Sequence, residues 1–208
     1  MTAQVGTTLR SDARDNRDRI LAAARAVFAT EGLDVPIREI ARRAQVGVAT
    51  VYRRFPTKEA LFAEAFADQM ATCSAIVEEG LAAPDPWQGF RRVVERIMEM
   101  HALDRGFSRA FTSRLPEVVA YFTADRDRTL RLLRELVRRA KASGELRPDF
   151  VLEDFILALM ANEGIRAESP RLRVAASRRF AALMLQSFQA NPVPAPLPPA
   201  VRLPISRR

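Results

Sequence analysis

An all-α fold is the expectation for this 208-residue chain, and three observations carry it. Apolar residues recur three and four apart along most of the length, which is the spacing of one helix face. No run of alternating apolar and polar residues reaches a useful strand length. Glycine is scarce, and before residue 191 the prolines fall one at a time between periodic stretches, where they stop helices. Breaks at 32–36, 45–47, 56, 84–86, 106, 116, 144–148 and 169–170 divide the chain into about nine helices.

Residues 1–14 are polar and charged and read as a flexible arm, without the apolar core of a secretory signal. Over 15–30, Ile20, Ala23, Ala24, Val27 and Phe28 form one stripe while Arg17, Arg19 and Arg25 lie elsewhere, so an amphipathic helix is expected. Gly32 suits its left-handed stop. A short second helix follows Pro36, with Asp34 as a candidate cap, Ile37, Ile40, Ala41 and Ala44 inward and Arg38, Arg42 and Arg43 outward. After a tight turn at 45–47, a third short helix over 48–55 needs only Val51 and Phe55 buried.

Two short helices joined by a tight turn make a helix-turn-helix or a plain helical hairpin. The exposed face of the third helix favours the former, because Thr50, Tyr52, Arg53 and Arg54 carry the hydroxyl, phenol and guanidinium groups that hold phosphate oxygens and base edges. A fourth helix opens at Thr57, a natural cap, with Lys58 in its first turn, where free N–H groups and a cation together suit a DNA phosphate.

The ordered set Ile20-Leu21-Ala22-Ala23-Ala24, Phe28-Ala29-Thr30-Glu31-Gly32, Ile37-Arg38-Glu39-Ile40-Ala41, Val46 and Thr50-Val51-Tyr52-Arg53-Arg54-Phe55-Pro56-Thr57-Lys58-Glu59-Ala60-Leu61-Phe62 resembles the DNA-binding domain of the TetR/AcrR family of bacterial transcriptional regulators. The resemblance implies a three-helix DNA-binding domain at 15–60, followed by a helical ligand-binding and dimerisation domain at 61–190. It implies that Thr50, Tyr52, Arg54 and Lys58 contact phosphates, while Arg38, Val48, Ala49 and Arg53 face the major groove. Val48 and Ala49 offer methyl contacts to thymine and no hydrogen-bond donor. The chain departs from the family's habit at Gln45, often Gly, at Gly47, often Ser or Thr, and at Arg54, often His.

Beyond the fourth helix a long helix over 61–80 is expected to join the two domains, with Cys73 a small buried residue along it. Met98, His101, Phe107, Phe111 and Phe122 are candidate lining for a mostly apolar ligand, on the family's plan. His101, the sole histidine, fits a pocket donor and a satisfied core residue equally. Two last helices, over 149–165 and 170–189, carry apolar faces suited to a twofold interface. Residues 191–208 hold six of the 13 prolines and read as a disordered or polyproline-like tail.

Composition narrows the function. The net charge of +8 favours an anionic partner, nucleic acid before membrane surface. One cysteine and one histidine leave no disulfide framework and no multi-histidine metal site, so neither metal nor cofactor is expected. No apolar run approaches the roughly 20 residues of a membrane span, and a cytoplasmic location follows. A helical enzyme built on Glu78, Glu79, Glu95, Glu99 and Asp104 is the rival reading; it lacks a nucleophile motif or phosphate loop, and Glu95 and Glu99 sit beside Arg91, Arg92 and Arg96 as on a solvated face. The expectation is a non-enzymatic homodimer that binds a palindromic double-stranded operator and is released by a small effector.

Overall fold

Punctuation by glycine, proline and capping side chains sets the element order in the computed structural model. It describes the backbone of residues 4–32, 34–112, 123–192 and 195–204, and side chains within 15–32, 34–108, 127–192 and 195–204. The helices are α1 (Gln4–Glu31), α2 (Ile37–Arg43), α3 (Val48–Arg54), α4 (Lys58–Ala65), α5 (Ala67–Leu81), α6 (Pro86–Leu103), α7 (Arg105–Thr112), α8 (Thr123–Ala142), α9 (Leu152–Glu163) and α10 (Pro170–Phe188). Among the described residues the only extended pairing is one bridge between Leu146 and Gln189. The all-α expectation holds.

Two apolar cores divide the chain. The first gathers Ile20, Val27 and Phe28 of α1, Ile40 of α2, Val51 of α3, Phe55, and Leu61 and Phe62 of α4. It runs on through Phe66, Met70 and Cys73 and takes in Phe107 of α7. The second joins the end of α5 to α6, α8, α9 and α10 around Phe90, Phe150, Phe155 and Phe188. Phe150 meets Phe188 edge-on at 4.9 Å between centroids, and Phe90 at 5.4 Å, the offset geometry that aromatic quadrupoles prefer.

Helix starts follow side-chain chemistry. Asp85 accepts hydrogen bonds from the N–H groups of Trp87 and Gln88 at 2.9 and 3.1 Å, with Pro86 in the first turn of α6. Ser169 caps α10 through the N–H of Leu172 at 3.2 Å, again ahead of a proline. Asp104 caps α7 through the N–H of Phe107 at 2.9 Å and also accepts from Gln69 of α5 at 3.0 Å.

Four expectations are corrected. The helix expected over 61–80 is two helices: Phe66, at φ −118° and ψ 13°, leaves helical geometry because its ring is drawn into the cluster of Phe28, Phe62 and Phe107. The first helix begins at Gln4, well before the apolar stripe, so residues 4–14 are helical rather than a loose arm. The described elements number ten, the extra one coming from the break at Phe66. Residues 195–204 are extended yet lie against α10, with the carbonyl of Ala195 accepting from Gln186 at 3.1 Å and that of Pro198 from Arg179. Of the positions expected to line a ligand site, Phe122 lies outside the described residues, as does the side chain of Phe111.

Candidate nucleic-acid interface

The turn between α2 and α3 is built by backbone hydrogen bonds. Gln45 adopts φ 55°, the only left-handed non-glycine residue described. The N–H of Gln45 bonds the carbonyl of Arg42 at 3.2 Å, and that of Val46 reaches back to Ala41 at 3.0 Å. These are the two crossed bonds of a Schellman stop, which satisfies the orphan carbonyls of α2 and turns the chain sharply. Gly47, at φ −69° and ψ 145°, then caps α3 without a side chain, its carbonyl accepting from Thr50 at 2.9 Å.

Seven residues are too few for a helix that stands alone. What holds α3 is Val51, fully buried, with Phe55 at its end 2% exposed, each contributing about 1.5–3 kcal/mol by burial. The rest of the helix is left to solvent. Val48 is 40% and Tyr52 49% exposed, Ala49, Arg53 and Arg54 are exposed, and Thr50 is half-buried. Arg53 donates to the hydroxyl of Thr50 at 3.1 Å. Arg38, on α2, is also exposed.

The next turn adds a cation. Thr57 accepts from the N–H of Ala60 at 3.1 Å and starts α4. Lys58 follows in the first turn, half-buried, and that partial burial lowers its ammonium's pKa while Asp34 and Glu59 oppose the shift. A half-desolvated ammonium beside free helical N–H groups has more to gain from a phosphate than a fully hydrated one.

The remaining arginines of α2 are committed elsewhere. Glu39 accepts from Arg42 at 2.6 and 2.8 Å and from Arg43 at 2.9 Å. The Arg42 bond first, then that of Arg43, holds the Glu39 carboxyl down at about 2. Arg43 also pairs with Glu31. These contacts make Arg42 and Arg43 part of the scaffold of α2, whereas the composition alone showed three outward arginines of equal standing.

Side-chain contacts tie α1 to α4. Arg17 pairs with Glu64 of α4, its Nε donating at 2.6 Å, and Arg25 donates to the carbonyl of Ala65 at 3.1 Å. At the start of α7, Gly106 lies so close to α1 that an added Cβ would sit 3.1 Å from the nitrogen of Ala29 and 3.2 Å from the carbonyl oxygen of Arg25. The absence of a side chain there lets the start of α7 pack against the backbone of α1.

Three of the positions expected to line a ligand site are packed inside. Met98 is fully buried, Phe107 is 2% exposed, and His101 is 1% exposed. His101 Nδ1 lies 3.2 Å from the hydroxyl of Ser108, and its ring stands edge-on to Phe107 at 5.3 Å. Burial pushes its pKa down to about 4. The backbone carbonyl of Met98 accepts from Asn162 at 2.9 Å and from Ser177 at 3.1 Å, which pins α9 and α10 to α6. Neither contact was visible as a signal in the sequence.

The carboxylates that suggested an enzyme are all engaged in structure. Glu78 pairs with Arg128, Glu79 with Arg96, Glu95 with Arg91 and Glu99 with Arg178, while Asp104 caps α7. Only the Glu95 pair lies within one helix; the Glu78, Glu79 and Glu99 pairs bridge helices. Cys73 is buried, which drives its thiol up to about 12 and leaves it unreactive.

Comparison with known proteins accords with this geometry. A family profile described as bacterial regulatory proteins, tetR family, matches residues 20–65. Over 134 residues the chain is 28% identical to the HTH-type transcriptional repressor KstR of Mycobacterium tuberculosis, covering 64% of this chain and 61% of that protein. KstR of Mycolicibacterium smegmatis is likewise 28% identical, with 66% of it covered, so the chain spans just under two thirds of these relatives. The TetR transcriptional regulator SCO0520 from Streptomyces coelicolor is 33% identical, with 83% of this chain and 98% of that one covered and a TM-score of 0.51. The chain belongs to the TetR family. A second TetR-family structure, PfmR from Thermus thermophilus, is 27% identical with a TM-score of 0.63, covering 82% of this chain and 95% of that one. The TetR profile spans the head from the middle of α1 to the end of α4. Among the described residues, no TetR-type helix here is long and apolar enough to cross a membrane.

Proposed function

We propose that this TetR-family chain is a homodimeric transcriptional repressor that binds a palindromic operator and leaves it when a small, mostly apolar effector binds. The exposed face of α3 carries the reading. It presents Val48, Ala49, Thr50, Tyr52, Arg53 and Arg54 on a helix anchored from behind by two buried side chains. Arg38, Val48, Ala49 and Arg53 are the groove-facing set in this proposal, and Thr50, Tyr52, Arg54 and Lys58 the phosphate-holding set. Base discrimination falls to the arginines, because the valine and alanine add only methyl contacts.

A second copy follows from the size of the reading head. One seven-residue helix spans a short half-site, and two heads set one DNA turn, about 34 Å, apart bind a palindrome far more tightly. Repression is the sign carried in the names of both KstR relatives.

The effector is assigned to the part of the helical core that holds Met98, His101 and Phe107, which would have to open to admit it, with Phe111 and Phe122 the other two members of the set. Phe107 belongs to the core shared with α1 and α4, so a molecule that displaced α7 would act on the head directly. Such a ligand must bind the released arrangement better than the DNA-bound one, or it shifts nothing.

Fluorescence anisotropy on tiled duplexes from the DNA flanking the gene, at two salt concentrations, tests the reading. Salt-resistant binding to one palindromic tile is expected. Equal, weak and salt-sensitive binding to every tile would reduce the head to a basic surface.

A further inference from the structure

Buried polar side chains are concentrated in one part of the molecule. Five are buried among the described residues: His101, Ser108, Thr129, Asn162 and Ser177. Thr129 of α8 is satisfied by the hydroxyl of Ser74 at 2.7 Å. The other four gather at the last turns of α6, where His101 meets Ser108, and Asn162 of α9 and Ser177 of α10 both donate to the Met98 carbonyl. Around them lie the buried apolar side chains of Met98, Phe107 and Leu159.

Hydrogen bonding fixes which end of each amide is which. A carbonyl only accepts, so the arm of Asn162 that reaches Met98 at 2.9 Å is its NH₂ group, and Oδ1 is the other arm. That oxygen is sealed from solvent on a residue 2% exposed, and no described residue donates to it. Gln69 of α5 repeats the arrangement. Its Nε2 donates to the carboxylate of Asp104, the residue that ends α6, at 3.0 Å, and its buried Oε1 takes no bond from any described residue. Buried acceptors without donors are rare in folded chains. Two of them held at one helix end leave this part of the core with acceptors to spare.

We infer that Asn162 Oδ1 is the polar anchor of the effector, and that the effector is an uncharged apolar alcohol or phenol whose O–H donates to that oxygen. The inference rests on the effector reading above and narrows it to a chemical class. Helix α7 packs on both α6 and α9, so a ligand that displaces α7 enters beside the seam where Asn162 lies. The surroundings decide against a charged ligand. An ion would give up its hydration among apolar side chains, and a carboxylate would add acceptors where donors are wanting. His101 offers an anion nothing, because burial keeps its ring neutral near pH 7. Arg173 gives its Nε to the carbonyl of Ala102 at 2.6 Å. A water molecule also satisfies an amide oxygen, but it gains nothing from the apolar walls that an alcohol fills.

Isothermal titration calorimetry on the full chain tests this with decanol and naphthol, each beside its methyl ether, and with decanoate and naphthoate. Each hydroxyl compound is expected to bind at least about tenfold tighter than its ether, and Asn162→Leu to bring the two within about twofold. That variant leaves Ser177 on the Met98 carbonyl, and circular dichroism checks its folding; the ratio of alcohol to ether on the unaltered chain decides without it. Equal binding of alcohol and ether overturns the inference, makes water the partner of Asn162 and leaves the effector reading in place. A preference for the hydroxyl that survives Asn162→Leu overturns it too, by putting the acceptor elsewhere. Tighter binding of the carboxylates would hand recognition to Arg105 or Arg173, again against the inference alone. If none of the compounds binds, the effector reading fails and this inference with it.

Discussion

Gly80 and Gly89 hold α5 and α6 at backbone contact. A Cβ on Gly89 would overlap the carbonyl oxygen of Gly80, and one on Gly80 would overlap Val93 and lie 3.0 Å from the carbonyl oxygen of Gly89. Two opposing effects decide what alanine does here. Helix propensity favours alanine over glycine by about 1 kcal/mol. Overpacking against an immobile backbone costs about 1–3 kcal/mol and more when nothing can yield. Gly89→Ala is therefore expected to destabilise the chain by at least about 1 kcal/mol in urea unfolding. A stabilised variant would show that the crossing is looser than its geometry.

Gln45 runs the other way. Its left-handed φ of 55° closes the Schellman stop of α2, a conformation costing an L-residue about 1–2 kcal/mol. Glycine relieves that strain, and the greater freedom it gives the unfolded chain takes part of the gain back. Gln45→Gly is expected to raise stability by about 0.5–1 kcal/mol, read as a higher urea midpoint with an unchanged slope.

Charge at the interface separates positioning from reading. Lys58→Ala is expected to weaken binding to all duplexes alike and to lower the slope of log K against log salt by about 0.9, one phosphate's worth. Arg53→Ala is expected to lose about 1–3 kcal/mol for the preferred operator over its single-base variants. Normal binding and an unchanged slope for Lys58→Ala would take α4 off the DNA backbone.

His101 gives the fold a pH dependence with a definite sign. Its folded pKa lies below the ordinary 6.5, at about 4, because burial penalises the imidazolium. The unfolded chain therefore takes up its proton first. Full stability is present above pH 6.5 and is lost as pH falls toward 4, up to about 3 kcal/mol from this group. Chemical denaturation of His101→Gln is expected to lack most of that loss. Equal slopes for both proteins across that window would place the cause elsewhere.

Much of the head was legible in the sequence because its signals are local. Val51 and Phe55, four apart, predict which side of α3 is buried, and Thr57 predicts a cap that the structure contains. The long-range partners were not legible. Nothing in the spacing shows that Glu39 ties down two of the three arginines on α2, or that the Met98 carbonyl collects bonds from two other helices. The break at Phe66 escaped for a related reason: the apolar pattern continues smoothly through it, and only the ring's place among Phe28, Phe62 and Phe107 ends the helix. Proline content suggested a disordered or polyproline-like tail, and carried no sign of the side chains of α10 that hold residues 195–204 in place.

The break at Phe66 governs how rigidly the two halves move together. A continuous helix from Lys58 to Leu81 would act as a stiff lever, so that any tilt in one half reappeared at the same angle in the other. Helical geometry is interrupted at Phe66, so α4 and α5 are two helices joined at one residue, and aromatic packing at that residue adds to the contact between them. The ring of Phe66 touches α1, α4 and α7 at once. On the proposed reading, a shift of α7 at Phe107 would reach α1 and α4 together through the ring of Phe66.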